Sequence, residues 1–180
     1  MRIYESLELD IQRGEIVSLV GGGGKTTTMF NLAEELKEIG KKVLVTTTTA
    51  IYSPDKKEYD YYFLKTMDGF VPKNGTITVF GEEIKNGKLI GVPLGKIKGI
   101  SEKKLFNFIL IEADGSKGKP IKGYADYEPV VPKNSTKTLG VIGLDSLGKR
   151  IEDIAHRPKI FTDITNTHLS DIIDKNIVVK

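Results

Sequence analysis

The chain has 180 residues, with 27 Lys and Arg against 24 Asp and Glu, two histidines, no cysteine and 39% hydrophobic residues. This length suffices for one domain with a packed core, and the absence of cysteine excludes disulfides, thiolate metal sites and cysteine nucleophiles. A net charge of +3 is too mild to imply a nucleic-acid partner, no apolar run is long enough to suggest a membrane span, and residues 1–5 carry no apolar signal core, so one cytoplasmic domain over residues 1–180 is expected.

Residues 3–20 read as an N-terminal antiparallel hairpin with Arg13-Gly14 near its turn. Its second strand, containing Ile16, Val17, Leu19 and Val20, runs into Gly21-Gly22-Gly23-Gly24-Lys25-Thr26-Thr27-Thr28. Glycines let a backbone turn tightly and approach a ligand closely, and amide N–H groups of such a loop join those of a helix start in an anion site. Lys25 is suited to terminal phosphates and the Thr26 hydroxyl to Mg²⁺. Leu19 stands where the usual phosphate-loop spacing wants its first glycine, so the loop is a shorter variant.

Met29, Leu32, Ala33, Leu36 and Ile39 form one apolar helical stripe, Gly40 ends it, and Val43-Leu44-Val45 follows as a buried parallel strand. Strand, loop, helix and strand make one βαβ unit with a right-handed crossover. Further on, Tyr59, Tyr61, Tyr62 and Phe63 mark a short strand whose rings pack in the core or on the surface, a base-stacking platform being the other reading. Residues 76–92 suggest a hairpin turning near Asn86-Gly87, and a helix is expected over about 101–106 with Ser101 as N-cap.

Two later strands, around residues 108–111 and 138–142, end near acids: Glu112 and Asp114 after the first, Asp145 after the second. Open α/β sheets bind ligands beyond the carboxyl ends of their strands. Glu112 and Asp114, two apart and on one face of an extended strand, are expected to hold Mg²⁺ and to orient an attacking water or hydroxyl, with a turn role for Asp114-Gly115 as the plainer reading. Lys117 and Lys122 are candidates for neutralising phosphate charge. Thr46 to Thr49, Thr47 and Thr48 foremost, are candidates for the metal's water shell or a substrate anion, and His156-Arg157 for contact with an anionic ligand.

These motifs agree with one family. The glycine loop, Val45-Thr46-Thr47-Thr48-Thr49, Glu112 to Lys122, Glu128-Pro129-Val130-Val131-Pro132, Val141 to Lys149 and His156-Arg157-Pro158 together resemble the YqeC family, accessory proteins of selenium-dependent molybdenum hydroxylases. The resemblance runs from about residue 14 to 165 and is weakest over 50–105. It implies a P-loop NTPase fold and a role in maturing a labile selenium- and molybdenum-containing cofactor. Family members also tend to continue further at the C-terminus.

The expected fold is therefore α/β and P-loop NTPase-like, a mostly parallel sheet flanked by helices with the N-terminal hairpin attached. The expected ligands are Mg²⁺ and ATP or another NTP, and the expected catalytic groups are Lys25, Glu112 and Asp114. The nucleotide site would comprise Gly21, Gly22, Gly23, Gly24, Lys25, Thr26, Thr27, Thr47, Thr48, Lys117 and Lys122; Thr26, Glu112 and Asp114 would hold the metal. Expected partners are the nucleotide and a molybdenum hydroxylase or molybdopterin carrier, with neither nucleic acid nor membrane. Two alternatives stand beside hydrolysis or transfer: an ATP-dependent ligase resembling the Mur ligases, which share a short Gly-x-x-Gly-Lys-Thr loop, and a nucleotide-switched delivery chaperone. Because the loop is expected to face solvent, Lys25→Ala is expected to lose nucleotide affinity with little loss of fold.

Overall fold

A computed structural model describes residues 1–179. In chain order its elements are α1 (Ile3–Ser6), β1 (Glu15–Gly21), α2 (Lys25–Glu38), β2 (Lys42–Thr47), β3 (Ala50–Tyr52), β4 (Tyr61–Leu64), β5 (Thr76–Gly81), β6 (Glu83–Lys85), β7 (Lys88–Ile90) and α3 (Leu94–Glu102). Then follow β8 (Phe108–Glu112), β9 (Ile121–Lys122), β10 (Lys137–Val141), α4 (Ile151–Ile154), β11 (Ala155–His156), α5 (Pro158–Thr165) and α6 (Lys175–Val178). Six strands form one sheet in the order β10-β1-β8-β2-β5-β4, every neighbouring pair parallel. A three-stranded antiparallel sheet, β3-β7-β6, and the short parallel pair β9–β11 lie beside it.

The central strands are apolar on both faces because helices cover both. Val43, Val45, Phe108 and Leu110 pack with Met29, Leu32 and Leu36 of α2, whereas Leu44, Ile109 and Ile111 pack with Ile97 of α3. Alternate residues of one strand thus serve two cores, as the two-residue period of a strand requires. Burying each such side chain contributes about 1.5–3 kcal/mol. A third cluster joins Ile121, Ile151, Phe161 and Ile173 under the C-terminal helices.

The α/β reading with a mostly parallel sheet and flanking helices holds, and three local expectations are corrected. Residues 3–6 form a helical turn, not the first strand of a hairpin. The N–H groups of Ile3 and Tyr4 donate to Glu35 Oε2 of α2 at 2.6 and 3.3 Å, a tertiary contact that captures the turn. Asn86-Gly87 is a hairpin turn, both residues having positive φ (51° and 71°), but it joins β6 to β7. The apolar run 76–80 instead becomes β5, parallel between β2 and β4. The helix expected at 101–106 spans Leu94–Glu102: Gly95 and Gly99, each costing about 1 kcal/mol against Ala, mask it in the sequence, and burial of Ile97 overrides them. Ser101 Oγ donates to Lys98 O near the helix end and is not the N-cap.

Candidate functional site

β1 leads directly into the glycine loop, and the loop into α2. Gly21 has φ +106°, and a Cβ there would lie 2.2 Å from Val141 O. At Gly24, by contrast, φ is +86° and a Cβ would meet nothing within 4 Å, so this glycine faces open space at the head of the helix.

The loop's amides divide into two groups. Gly21 N–H donates to Asp114 Oδ2 at 2.9 Å, Gly22 N–H to Val141 O at 2.9 Å and Gly23 N–H to Lys119 O at 3.0 Å. These three are therefore committed to the protein's interior, which corrects the expectation that the whole loop cradles a ligand. The first helical bond runs from Thr28 N–H to Gly24 O. The N–H groups of Gly24, Lys25, Thr26 and Thr27 thus have no acceptor among the described residues. No acidic residue of α2 itself stands in its first turn and no side chain caps it; the carboxylate near this end of the helix dipole is Glu112, from β8.

Register places the acids. Glu112 at the end of β8 lies opposite Leu19 of β1 and Thr47 of β2. Its Oε2 accepts the Thr26 hydroxyl hydrogen bond at 2.6 Å. Burial pushes the Glu112 carboxyl above its ordinary value; the Thr26 bond and the Lys25 charge oppose that, and Asp114 adds to it. Beyond β8, Ala113 N–H bonds Leu19 O, carrying the chain alongside β1 and Asp114 to the Gly21 amide.

Asp114 is 0% exposed and faces two cations, Lys25 Nζ at 3.2 Å from Oδ1 and Lys122 Nζ at 3.1 Å from Oδ2. Oδ1 accepts no hydrogen bond among the described residues, and its partner is the Lys25 charge. Lys25 is itself 3% exposed, its ammonium donating to Gly21 O at 2.7 Å and lying 3.7 Å from Glu112 Oε1. Lys122 also donates to Gly115 O and Glu128 Oε2, each at 2.7 Å, and stands over the Tyr124 ring. Glu128 is paired in turn with Arg157. Three cations and three carboxylates thus form one network.

The sequence expectations fare unequally here. Gly23, Gly24, Lys25, Thr26, Thr27, Glu112 and Lys117 line one cleft of about 390 Å³. Asp114 and Lys122 do not: both are counter-ions of the interior, away from the cleft where metal and phosphate were expected. Thr47 and Thr48 are corrected likewise, because their hydroxyls donate to Glu112 O and Val130 O at 2.8 and 2.9 Å. Arg157 is engaged by Glu128 and stacked near Tyr127, and burial, then the charges of Arg157 and Lys122, holds His156 below its ordinary pKa. The loop faces solvent at Gly24 and Thr27, but the Lys25 side chain lies inside. Tyr52 and Lys88, which complete the cleft wall, had no motif to announce them.

The oxygen pair of Thr26 and Glu112 fits Mg²⁺, which takes hard oxygen ligands, few carboxylates and several waters. Among the described residues no group of three or more His, Cys, Asp or Glu could hold a metal by itself. Such an ion would take its remaining oxygens from water or a bound ligand.

Residues 17–159 match the family described as YqeC protein. An Escherichia coli (strain K12) protein named "Uncharacterized protein YqeC" is 33% identical over 175 residues, covering 90% of this chain and 67% of that protein. No solved structure matches the chain.

Two predictions follow from the charge network. Lys25→Ala leaves Asp114 buried beside an unbalanced charge, so urea denaturation should show a loss of about 3 kcal/mol or more; a loss within about 0.5 kcal/mol, typical of surface changes, would contradict the network. Burial works against ionisation of Glu128, yet hydrogen bonds and charges from Arg157 and Lys122 outweigh it and hold the carboxyl below 4.5. Its contribution is therefore complete above pH 4.5 and is lost as pH falls through the lower folded value. The stability gap between wild type and Glu128→Gln should accordingly narrow on acidification below pH 4.5, whereas a pH-independent gap would refute this linkage.

Proposed function

The chain belongs to the YqeC family, and we propose that it binds a nucleoside triphosphate with Mg²⁺ at the head of α2 and hydrolyses it, or transfers part of it, in maturation of selenium-dependent molybdenum hydroxylases. The observation that carries the nucleotide reading is the set of unpaired amides at Gly24 to Thr27, opening on a cleft that the Thr26–Glu112 pair also lines. A phosphate group there would accept several main-chain hydrogen bonds and meet the positive end of the dipole. Thr26 and Glu112 would hold the Mg²⁺, which when bound neutralises charge on the phosphate oxygens. Glu112 would act there through the metal, helping to orient a water or acceptor hydroxyl toward the phosphate. Lys117 at the rim adds positive charge.

The maturation role and its partners, a molybdenum hydroxylase or a molybdopterin carrier, rest on the family resemblance alone. A cytoplasmic location accords with the lack of cysteine and with the fact that no helix among the described residues is long and apolar enough to cross a membrane. A nucleotide-switched delivery role has one observation of its own. Lys25 is bound to Gly21 O and Asp114, so drawing it toward a phosphate would unbalance the network that anchors the segments after β8. Binding would then be coupled to those segments.

Isothermal titration with Mg·ATP, Mg·GTP and Mg·CTP tests the first step. Binding of at least one nucleotide is expected, dependent on Mg²⁺ and weakened about tenfold or more in Glu112→Gln, the size of effect seen when groups around a metal are changed. Absence of heat with all three, with or without the metal, would refute nucleotide binding.

A further inference from the structure

Tyr52 ends β3 on the wall of the cleft that faces the head of α2. It is 76% exposed, although a tyrosine ring gains most by burial. Its hydroxyl makes no hydrogen bond among the described residues. One of its contacts is the ammonium of Lys88, its cross-strand partner, 5.2 Å from the ring centroid. The other aromatics of this region behave differently. Tyr59 packs on Tyr62 with centroids 5.0 Å apart, and Phe70 packs on Tyr61 and Phe63 at 4.9 and 4.6 Å. Those rings pack against one another, whereas Tyr52 keeps most of its surface for a ligand.

The same cleft brings together Lys88 and Lys117, beside Lys25, whose charge is already paired with Asp114 and Glu112. Its contents are therefore matched to a ligand with an anionic end and a flat, unsaturated end, and its volume of about 390 Å³ lies within the range of small-molecule sites. Resting on the phosphate site proposed above, we infer that Tyr52 is the stacking face for the planar ring of the bound nucleoside phosphate, with Lys88 holding the tyrosine ring from its cross-strand position. Stacking of this kind tolerates different bases, because every base presents a π-face. Tyr52 would thus distinguish a nucleotide from a bare polyphosphate without reading the base's edge.

Titration of wild type, Tyr52→Leu and Tyr52→Phe with Mg·ATP and with magnesium tripolyphosphate tests this. The substitutions sit on an exposed position, and both residues suit a strand. Tyr52→Leu should bind Mg·ATP about tenfold more weakly, a typical loss for one base–aromatic contact, while its affinity for tripolyphosphate stays within about twofold. Tyr52→Phe should behave as wild type with both ligands. An unchanged ATP affinity in Tyr52→Leu, or equal weakening of ATP and tripolyphosphate, would overturn the assignment while leaving the phosphate site standing. Wild-type protein that binds neither ligand would remove the phosphate site itself, and the stacking role with it.

Discussion

The site depends on a carboxylate that water never reaches. Asp114 is wholly buried, and taking an ion of its size out of water costs several kcal/mol unless partners in good geometry offset it. Here the partners are Lys25 from the start of α2, Lys122 from β9 and the Gly21 amide from the end of β1. One side chain thereby ties three separated segments to the same point. The constraint propagates: Lys122 requires Glu128, and Glu128 is shared with Arg157 at the start of α5. The glycine loop takes its shape from this interior network as much as from its own flexibility.

That shape decides which groups are left for a ligand. With the amides of Gly21, Gly22 and Gly23 satisfied internally, the anion-binding capacity moves forward to the first turn of α2. This turn carries the dipole of a 14-residue helix behind it and no acidic residue of its own. Lys25 sits between two claims. Its ammonium is engaged by Gly21 O and two carboxylates within the protein, while its backbone N–H belongs to the open set. Under the proposed function, a phosphate at the helix head would compete with Asp114 for the same charge, and that competition would couple ligand binding to the loops beyond β8.

Much of this was legible in the sequence, for identifiable reasons. The βαβ unit shows in the four glycines between an apolar strand and an amphipathic stripe, and Glu112 shows as an acid ending the apolar run 108–111. Strand α/β periodicity does not reveal tertiary capture, which is why residues 3–6 read as extended until Glu35 is seen to accept their amides. Nor does spacing tell a cleft-facing acid from a buried one. Glu112 and Asp114 share a face in an extended chain, but β8 ends at Glu112, and the chain beyond it turns Asp114 under the glycine loop. Spacing is equally silent about Lys122 and Thr47, whose polar atoms are taken by Asp114 and by a backbone carbonyl in the interior. Tyr52 was missed because an isolated tyrosine on a three-residue strand carries no periodic signal.

The central claim is that anion binding resides in the four amides at the head of α2 and excludes the three glycine amides behind them. Backbone amide NMR during titration with magnesium tripolyphosphate tests it most directly. The account predicts large, saturable shifts at Gly24, Lys25, Thr26 and Thr27, with the amides of Gly21, Gly22 and Gly23 staying protected from exchange. Titration that leaves the first four unmoved, or that frees the other three to exchange as they take up the ligand, would contradict it.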